Sequence, residues 1–202
     1  MRIDFTALPP AEGYRWLTAM VTPRPIAWVS TQSSEGVDNL APFSFFQVVC
    51  DEPPTLMVSI GDRMDGSAKD TLRNARDCGE LVIQLVAAAQ AEAMNASSAA
   101  LSPGVSEFER CGIASLPSDL VRPPRVANAA VAFECQVAEI KPYPACAPTH
   151  HLLFATVLLA HVDDAVLADA RHVDAGKLDL IGRLGGNHYT RTRDTFALTR
   201  PK

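Results

Sequence analysis

The sequence predicts a mainly β protein, an antiparallel barrel with a few peripheral helices, and three observations support this fold class. About six segments have the composition of strands, whereas only two or three short segments have that of helices. Strands and helices do not alternate regularly along the chain. No Gly-x-Gly-x-x-Gly motif follows a strand, so the usual sign of a dinucleotide-binding parallel sheet is missing.

The predicted strands are short, rich in apolar and β-branched residues, and bounded by turn-forming residues. They span residues 24–31, 39–46, 53–61, 80–86, 131–140 and 152–161. A turn at residues 33–36 makes the first two a hairpin, and Pro53-Pro54 gives the third a rigid start. Three strands in succession favour a meander or a barrel.

The helical signals are few and local. Residues 67–77 predict a short helix, because Ser67 can cap its start and Gly79 can end it. The alanine-rich residues 87–94 predict a second helix. Small and turn-forming residues dominate 95–124, and loops of this length are usually functional or part of an interface. The glycine-rich C-terminal part predicts irregular structure.

Length and composition fit one globular domain over residues 1–202. The net charge is −5 and the basic residues are scattered, so nucleic acid is not an expected partner. No apolar stretch has signal-peptide character or approaches the ~20 residues of a membrane span, which predicts a cytoplasmic protein without a membrane partner. The five cysteines are odd in number and lack a Cys-x-x-Cys pair, so we expect small core residues and neither a disulfide framework nor a zinc site.

Motif searches assign no catalytic residue and no metal site. The sequence has no phosphate loop, His-Glu-x-x-His, Gly-x-Ser-x-Gly or Ser-x-x-Lys motif. The five histidines lack partners at metal-ligand spacings, so structural or surface roles are expected for them.

Two segments carry candidate binding chemistry. In residues 39–47, Pro42 is expected to interrupt strand pairing and leave backbone groups for a planar heterocycle; a strand with an aromatic core face and a bulge is the alternative. Lys69-Asp70-Thr71 lies at the first turn of a predicted helix, where free amides and the helix dipole favour an anion. An ordinary surface helix with a solvated lysine is the alternative there.

Five motifs, in this order, resemble the flavin-reductase-like family with the FMN-binding split barrel. They are Pro23-Arg24-Pro25-Ile26-Ala27, Asn39-x-Ala41-Pro42-Phe43-Ser44-Phe45-Phe46, Lys69-Asp70-Thr71, Met94-Asn95-Ala96-Ser97 and Gly182-Arg183-Leu184-Gly185-Gly186. Each motif is weak alone, but the shared order makes the resemblance specific, and it covers residues 14–190.

The resemblance implies an antiparallel split barrel that forms a homodimer and binds FMN, with FAD as the alternative cofactor. The implied cofactor-binding residues are Arg24, Phe43, Ser44, Phe45, Ser59, Gly61, Lys69, Thr71, Asn95, Ala96 and Ser97. Residues 43–45 would meet the polar edge of the isoalloxazine, and residues 95–97 would lie against the same cofactor. Lys69 and Thr71 would hold the phosphate, with Ser59 and Gly61 on the ribityl-phosphate side. Arg24 would add positive charge near the flavin, or else form an ion pair at the start of its strand.

The implied activity is an oxidoreductase that uses NADH or NADPH to reduce bound flavin and passes electrons to free flavin or another acceptor, with a monooxygenase as a potential partner. The flavin carries the hydride chemistry, so no protein acid or base is required. His188 and Tyr189 are candidates for the border of the open flavin face. Two alternatives remain: a flavoredoxin-like electron carrier that does not oxidise NAD(P)H, and a split barrel that has lost its cofactor.

Overall fold

The computed structural model describes residues 1–102, 104–147 and 149–201. Within these ranges the α-helices are α1 (Pro10–Met20), α2 (Asp70–Cys78), α3 (Ala91–Ala96), α4 (Glu107–Cys111) and α5 (Ala175–Leu178), with 3-10 turns at Ala88–Gln90 and Asp164–Val166. The strands are β1 (Arg24–Pro25), β2 (Ala27–Gln32), β3 (Asp38–Phe43), β4 (Phe46–Asp51), β5 (Pro54–Gly61), β6 (Glu80–Leu85), β7 (Ser115–Leu116), β8 (Arg125–Val126), β9 (Val131–Tyr143), β10 (His150–Val162), β11 (Leu167–Asp169), β12 (His172–Val173), β13 (Ile181–Arg183) and β14 (Tyr189–Arg191). All six predicted strands are present.

Seven strands form one antiparallel sheet in the order β3-β2-β6-β9-β10-β5-β4. Its two edge strands, β3 and β4, follow each other in the chain and are joined only by Ser44 and Phe45. Because so short a link cannot span an open sheet, the sheet must curl until its edges meet at this end. The Ser59 amide donates to the Phe45 carbonyl at 2.8 Å and fastens the link to β5. This confirms the predicted barrel, which is split along the line between β3 and β4.

The core lies inside the barrel, and a second apolar cluster lies outside it. Val29, Leu81, Ile83 and Leu153 belong to the inner cluster. The strand β2 is buried on both faces, since Trp28 points away from the inner cluster and packs with residues of α3 and α4. Because this strand is covered on both sides, the apolar residues Ala27, Trp28 and Val29 follow one another without alternation.

The helix α2 differs from the prediction at its start and agrees with it at its end. Ser67 is not its cap, because its hydroxyl and its amide both bond the side chain of Asp65, at 2.6 and 2.9 Å. Lys69 occupies the N-cap position, and no side chain caps the helix. Gly79 ends the helix as predicted, in the left-handed conformation with φ 72°.

The C-terminal part contains strands, so the expectation of irregular structure is wrong. The strand β13 pairs with both β1 and β14 in a three-stranded antiparallel sheet. A Cβ on Gly182 would lie 2.8 Å from the Cβ of Pro23. This glycine therefore permits the close approach of β1 and β13, although in the sequence it has the signature of a loop.

Three other expectations need correction. The pairing of β3 continues through Pro42, opposite Trp28, because an edge strand has to pair on one side only. The segment 95–124 includes α4 and β7 and is not one loop. Of the cysteines only Cys135 is buried, and burial raises the pKa of its thiol to about 12; Cys146 is exposed and the other three are half-buried.

The helix α1 has no counterpart in the sequence prediction, and among its residues only Thr18 is buried. Within the described residues, none of the helices has the length and apolar character needed to cross a membrane.

Candidate functional site

Two adjoining cavities form a cleft at the end of the barrel where β3 meets the Ser44–Phe45 link. The wide cavity, of about 500 Å³, lies between α1, the end of β3, α3 and the β13–β14 hairpin. The narrow cavity, of about 230 Å³, lies between β3, the start of α2 and the segment that follows α3. Pro42, Phe43 and Ser98 line both cavities, so the two adjoin at these residues.

The narrow cavity contains the start of α2. Since Lys69 provides no side-chain cap, the first amides of the helix have no partner within the helix and the positive end of its dipole faces the cavity. Burial lowers the pKa of the Lys69 amine; the charge of Arg63 lowers it further, and Asp62 opposes both. The Lys69 Nζ lies 5.5 Å from the centre of the Phe43 ring. Lys69 is thus a cation close to the Phe43 ring at the uncapped start of α2.

Thr71 presents an available donor to the same cavity. The residue is buried, and its Oγ1 accepts a hydrogen bond from Asn39 Nδ2 at 3.0 Å. Within the described residues no acceptor takes the Thr71 hydroxyl proton, which leaves it for a group in the narrow cavity. Arg63 lines this cavity too, but it is engaged by Asp70 at 2.5 Å and by the Ala68 carbonyl at 2.7 Å.

The residues predicted to bind the flavin ring do not all line the same cavity. Phe43 is a core residue at the boundary of the two cavities, and Ser44 lines the wide one. Phe45 lines a different groove, where its ring centre is 6.4 Å from those of Tyr14 and His150.

The residues at the end of α3 are also divided. Asn95 is exposed and lines the wide cavity, whereas Ala96 lines neither cavity. Ser97 lines the narrow cavity, but its buried hydroxyl accepts from Trp28 Nε1 at 2.9 Å and donates to the Met94 carbonyl at 2.8 Å. Ser97 thus fixes the position of the Trp28 indole.

Arg24 is buried in the wall of the wide cavity and forms no ion pair among the described residues. Its guanidinium donates to the backbone carbonyls of Thr18, Val21 and Leu184 at 2.5, 2.8 and 3.1 Å. Its Nε lies 3.5 Å from Ser44 Oγ. Burial lowers the pKa of Arg24, Tyr14 opposes this, and the charge of Arg183 lowers it further. Arg24 therefore joins α1 to the β13–β14 hairpin and leaves its charge uncompensated.

Ser59 and Gly61 are not brought to the cleft. Ser59 lines the apolar groove, a depression of about 380 Å³ that also includes Leu17, Val21, Phe45 and Met57 and that borders the wide cavity at Ser44. A Cβ on Gly61 would lie 3.2 Å from Nε2 of His150, outside both cavities of the cleft.

The sequence analysis did not assign Tyr14, Arg15 or Arg183 to the site, and all three line the wide cavity. Tyr14 and Arg15 line it from α1. Arg183 lies 4.6 Å from the centre of the Tyr189 ring, and it donates to the Tyr189 hydroxyl and, at 2.6 Å, to the Gly186 carbonyl. Tyr189 lines the cavity, whereas His188 is absent from its lining. The motif around Gly182 was the available signal, because Arg183 belongs to it.

One group of three potential metal ligands occurs among the described residues, away from the cleft. The ligand atoms of Asp119, Glu134 and His161 lie within 4.8 Å of one another. The buried Glu134 carboxylate accepts from the amides of Asp119 and Leu120 at 2.8 and 2.6 Å and contacts His161 Nε2 at 2.6 Å. Both carboxylate oxygens are thus engaged, in an arrangement that fastens the loop at Asp119 and Leu120 to β9.

Comparison with known proteins shows the same fold and a clear family. A crystal structure of nitrilotriacetate monooxygenase component B from Bacillus cereus has a TM-score of 0.93 at 31% identity, covering 98% of each chain. The 2-nitrobenzoate 2-nitroreductase of Pseudomonas fluorescens has a TM-score of 0.90 at 29% identity, covering 100% of this chain and 96% of that one. An uncharacterized protein of Deinococcus radiodurans is 43% identical over 203 residues, 98% of this chain and 88% of the relative. A family model described as flavin reductase like domain matches residues 19–177. With this match and this split barrel, the chain belongs to the family of flavin reductase like domains.

Proposed function

We propose that the protein binds FMN in the cleft and acts as an oxidoreductase that takes electrons from NADH or NADPH. The observation that carries the proposal is the uncapped start of α2, with Lys69 and Thr71, at one end of a cleft that widens at Phe43 and Ser44. FMN is a planar ring joined by a flexible chain to a phosphate, and the cleft has a wide end and an anion-favouring end in the same order.

The wide end has polar groups suited to the edge of a flavin ring. The strand β3 lies at an edge of the sheet, so its outer side has backbone groups without a strand partner. The Ser44 hydroxyl adds a further donor and acceptor. Phe43 and Phe46 lie in the barrel core, so the aromatic core face expected as an alternative is present beside these polar groups.

The electron donor and acceptor meet the cofactor from the side of α1 and β14. When bound, the flavin supplies the redox chemistry, because its N5 atom accepts a hydride from the reduced nicotinamide. Tyr14 and Tyr189 line this side of the wide cavity and would limit how a second ring reaches a bound flavin. Similarity to a monooxygenase component and to a nitroreductase supports two acceptors, free flavin used by a partner monooxygenase or a small organic molecule.

The apolar groove supports a homodimer. Leu17 and Val21 line the groove and are more than half exposed, with Met20 beside them on α1. Exposed apolar surface of this kind marks an interaction site in a stable protein. We expect a dimer by light scattering, and a monomer that still binds FMN tightly would contradict the dimer.

The decisive experiment reconstitutes the protein with FMN and mixes it anaerobically with NADH or NADPH. We expect close to one FMN per chain and loss of the oxidised flavin absorbance within seconds. If the flavin stays oxidised with both nucleotides but accepts electrons from a protein donor or dithionite, the electron-carrier alternative is favoured. Failure to bind FMN or FAD at micromolar concentration would refute the proposed function.

A further inference from the structure

The ionisable side chains that line the wide cavity are three arginines and two tyrosines. The arginines are Arg15, Arg24 and Arg183, and neither aspartate nor glutamate is among the lining residues. The whole chain has 23 acidic and 18 basic residues. A chain with an excess of acids that surrounds one cavity with arginines alone concentrates a positive potential there.

The three arginines differ in how far the protein already uses them. Arg24 is buried and bonded to three backbone carbonyls, so it serves the structure. Arg183 is held by a cation–π contact with the Tyr189 ring and by hydrogen bonds from its terminal nitrogens to the Tyr189 hydroxyl and the Gly186 carbonyl, which fixes the plane of the guanidinium. Arg15 is exposed, and within the described part of the chain its guanidinium has neither a hydrogen-bond partner nor an ion-pair partner.

These cations are separate from those that would hold the cofactor phosphate. Lys69 and the start of α2 belong to the narrow cavity, and Arg15 and Arg183 line only the wide one. A flavin ring in the wide cavity is uncharged when oxidised. Arg15 and Arg183 are therefore available for an anionic group of another molecule that enters the wide cavity.

We propose that Arg15 and Arg183 select substrates that carry an anionic group, a carboxylate or a phosphate, beside the ring that meets the flavin. This inference rests on the proposed function for the position of the flavin, and it names the chemistry of the second ligand. The guanidinium plane of Arg183 suits the paired oxygens of such a group. Two sources share this chemistry: the phosphates of a nicotinamide dinucleotide and the carboxylate of an aromatic acid.

Matched pairs of ligands separate charge from ring binding. Benzoate and benzamide differ in charge at nearly the same shape, and NAD⁺ differs from nicotinamide riboside by its phosphates and adenosine. We would titrate each into the wild type, Arg15→Gln, Arg15→Lys and Arg183→Lys by calorimetry at low salt, with and without FMN. Arg110→Gln is the control, because it removes the same charge from an exposed residue outside the described cavities.

We expect Arg15→Gln to raise the Kd of at least one anionic ligand about fivefold, which is the effect of losing one exposed ionic contact. The neutral or phosphate-free partner should be unchanged, Arg15→Lys should restore most of the loss, and added salt should reduce the difference. Arg183→Lys should weaken the same ligand, because lysine cannot make the paired contact. A loss limited to benzoate identifies an aromatic acid as the source, and a loss limited to NAD⁺ identifies the nucleotide.

The inference is overturned if the wild type binds neither anion better than its partner, or if Arg110→Gln has the same effect as Arg15→Gln. Retained affinity for both anions in Arg15→Gln and Arg183→Lys overturns it too. FMN binding is measured separately on each protein. FMN binding without anion selection refutes this inference alone, whereas Arg15-dependent anion selection without FMN binding supports it and refutes the proposed function.

Discussion

Removing the charge of Lys69 should weaken the binding of FMN and leave the binding of riboflavin nearly unchanged. The amine lies in the narrow cavity beside the free amides of α2, whereas Ser44, which is proposed to meet the ring, lines the wide cavity. Loss of a hydrogen bond to a charged group costs about 1.5–3 kcal/mol, which corresponds to a factor of about 10 to 100 in Kd. The contact of Lys69 with Phe43 exists without a ligand, so its loss should affect stability rather than affinity.

Quenching of flavin fluorescence in titrations of Lys69→Met with FMN and with riboflavin measures this effect. Lys141→Met is the control, since Lys141 is an exposed lysine on β9 outside the cleft. Added salt should weaken FMN more in the wild type than in Lys69→Met, because only the wild type keeps the screened charge. Equal losses for FMN and riboflavin, or equal behaviour of the two lysine variants, would refute the phosphate assignment.

Three further predictions concern stability and order. Ser97→Ala removes the acceptor of the buried Trp28 indole, so the free energy of unfolding should fall by about 1–3 kcal/mol in urea titrations; an unchanged midpoint would contradict this role of Ser97. Burial raises the pKa of the Glu134 carboxyl, but its hydrogen bonds to two loop amides and a histidine outweigh burial, and the net pKa lies below the ordinary 4.5. The stabilisation that the Glu134 carboxylate provides is therefore complete above pH 4.5 and is lost as the pH falls through the lowered pKa. The difference in stability between the wild type and Glu134→Gln should accordingly shrink in acid. A difference that stays constant in pH-dependent melts would argue against this. Arg24→Met removes bonds to three backbone carbonyls and should speed hydrogen exchange of the α1 amides, whereas Arg15→Met should not.

The strands, and the placement of Lys69 and Thr71 together at the start of α2, could be predicted from the sequence because their signals are local. The run of β-branched and apolar residues at 80–86 favours a strand through its own composition, and Gly79 is the residue type that a left-handed helix end favours. Lys69 and Thr71 lie two residues apart at the start of one helix, so sequence spacing alone brings them to one site.

The other wall of the cleft depends on contacts between distant segments. The helix α1 buries little of its own surface, starts at a double proline and is held by Arg24, so its sequence carries only a weak helical pattern. Tyr14 and Arg15 could not be assigned to the site without it. The pairing of β9 with β10 likewise brings Glu134 to His161 across a separation of 27 residues, which no spacing rule detects.

The two-residue link between β3 and β4 could couple cofactor binding to self-association. Ser44 lines both the wide cavity and the apolar groove, and Phe45 lines the groove. A second copy seated in the groove would restrict the same backbone that is proposed to meet the ring of the cofactor. Cofactor affinity and self-association would then share one coupling free energy, equal in both directions, and we expect it to be favourable because each partner orders the backbone that the other uses. Apparent FMN affinity should accordingly rise with protein concentration, and the cofactor should shift the monomer–dimer equilibrium towards the dimer by the same factor.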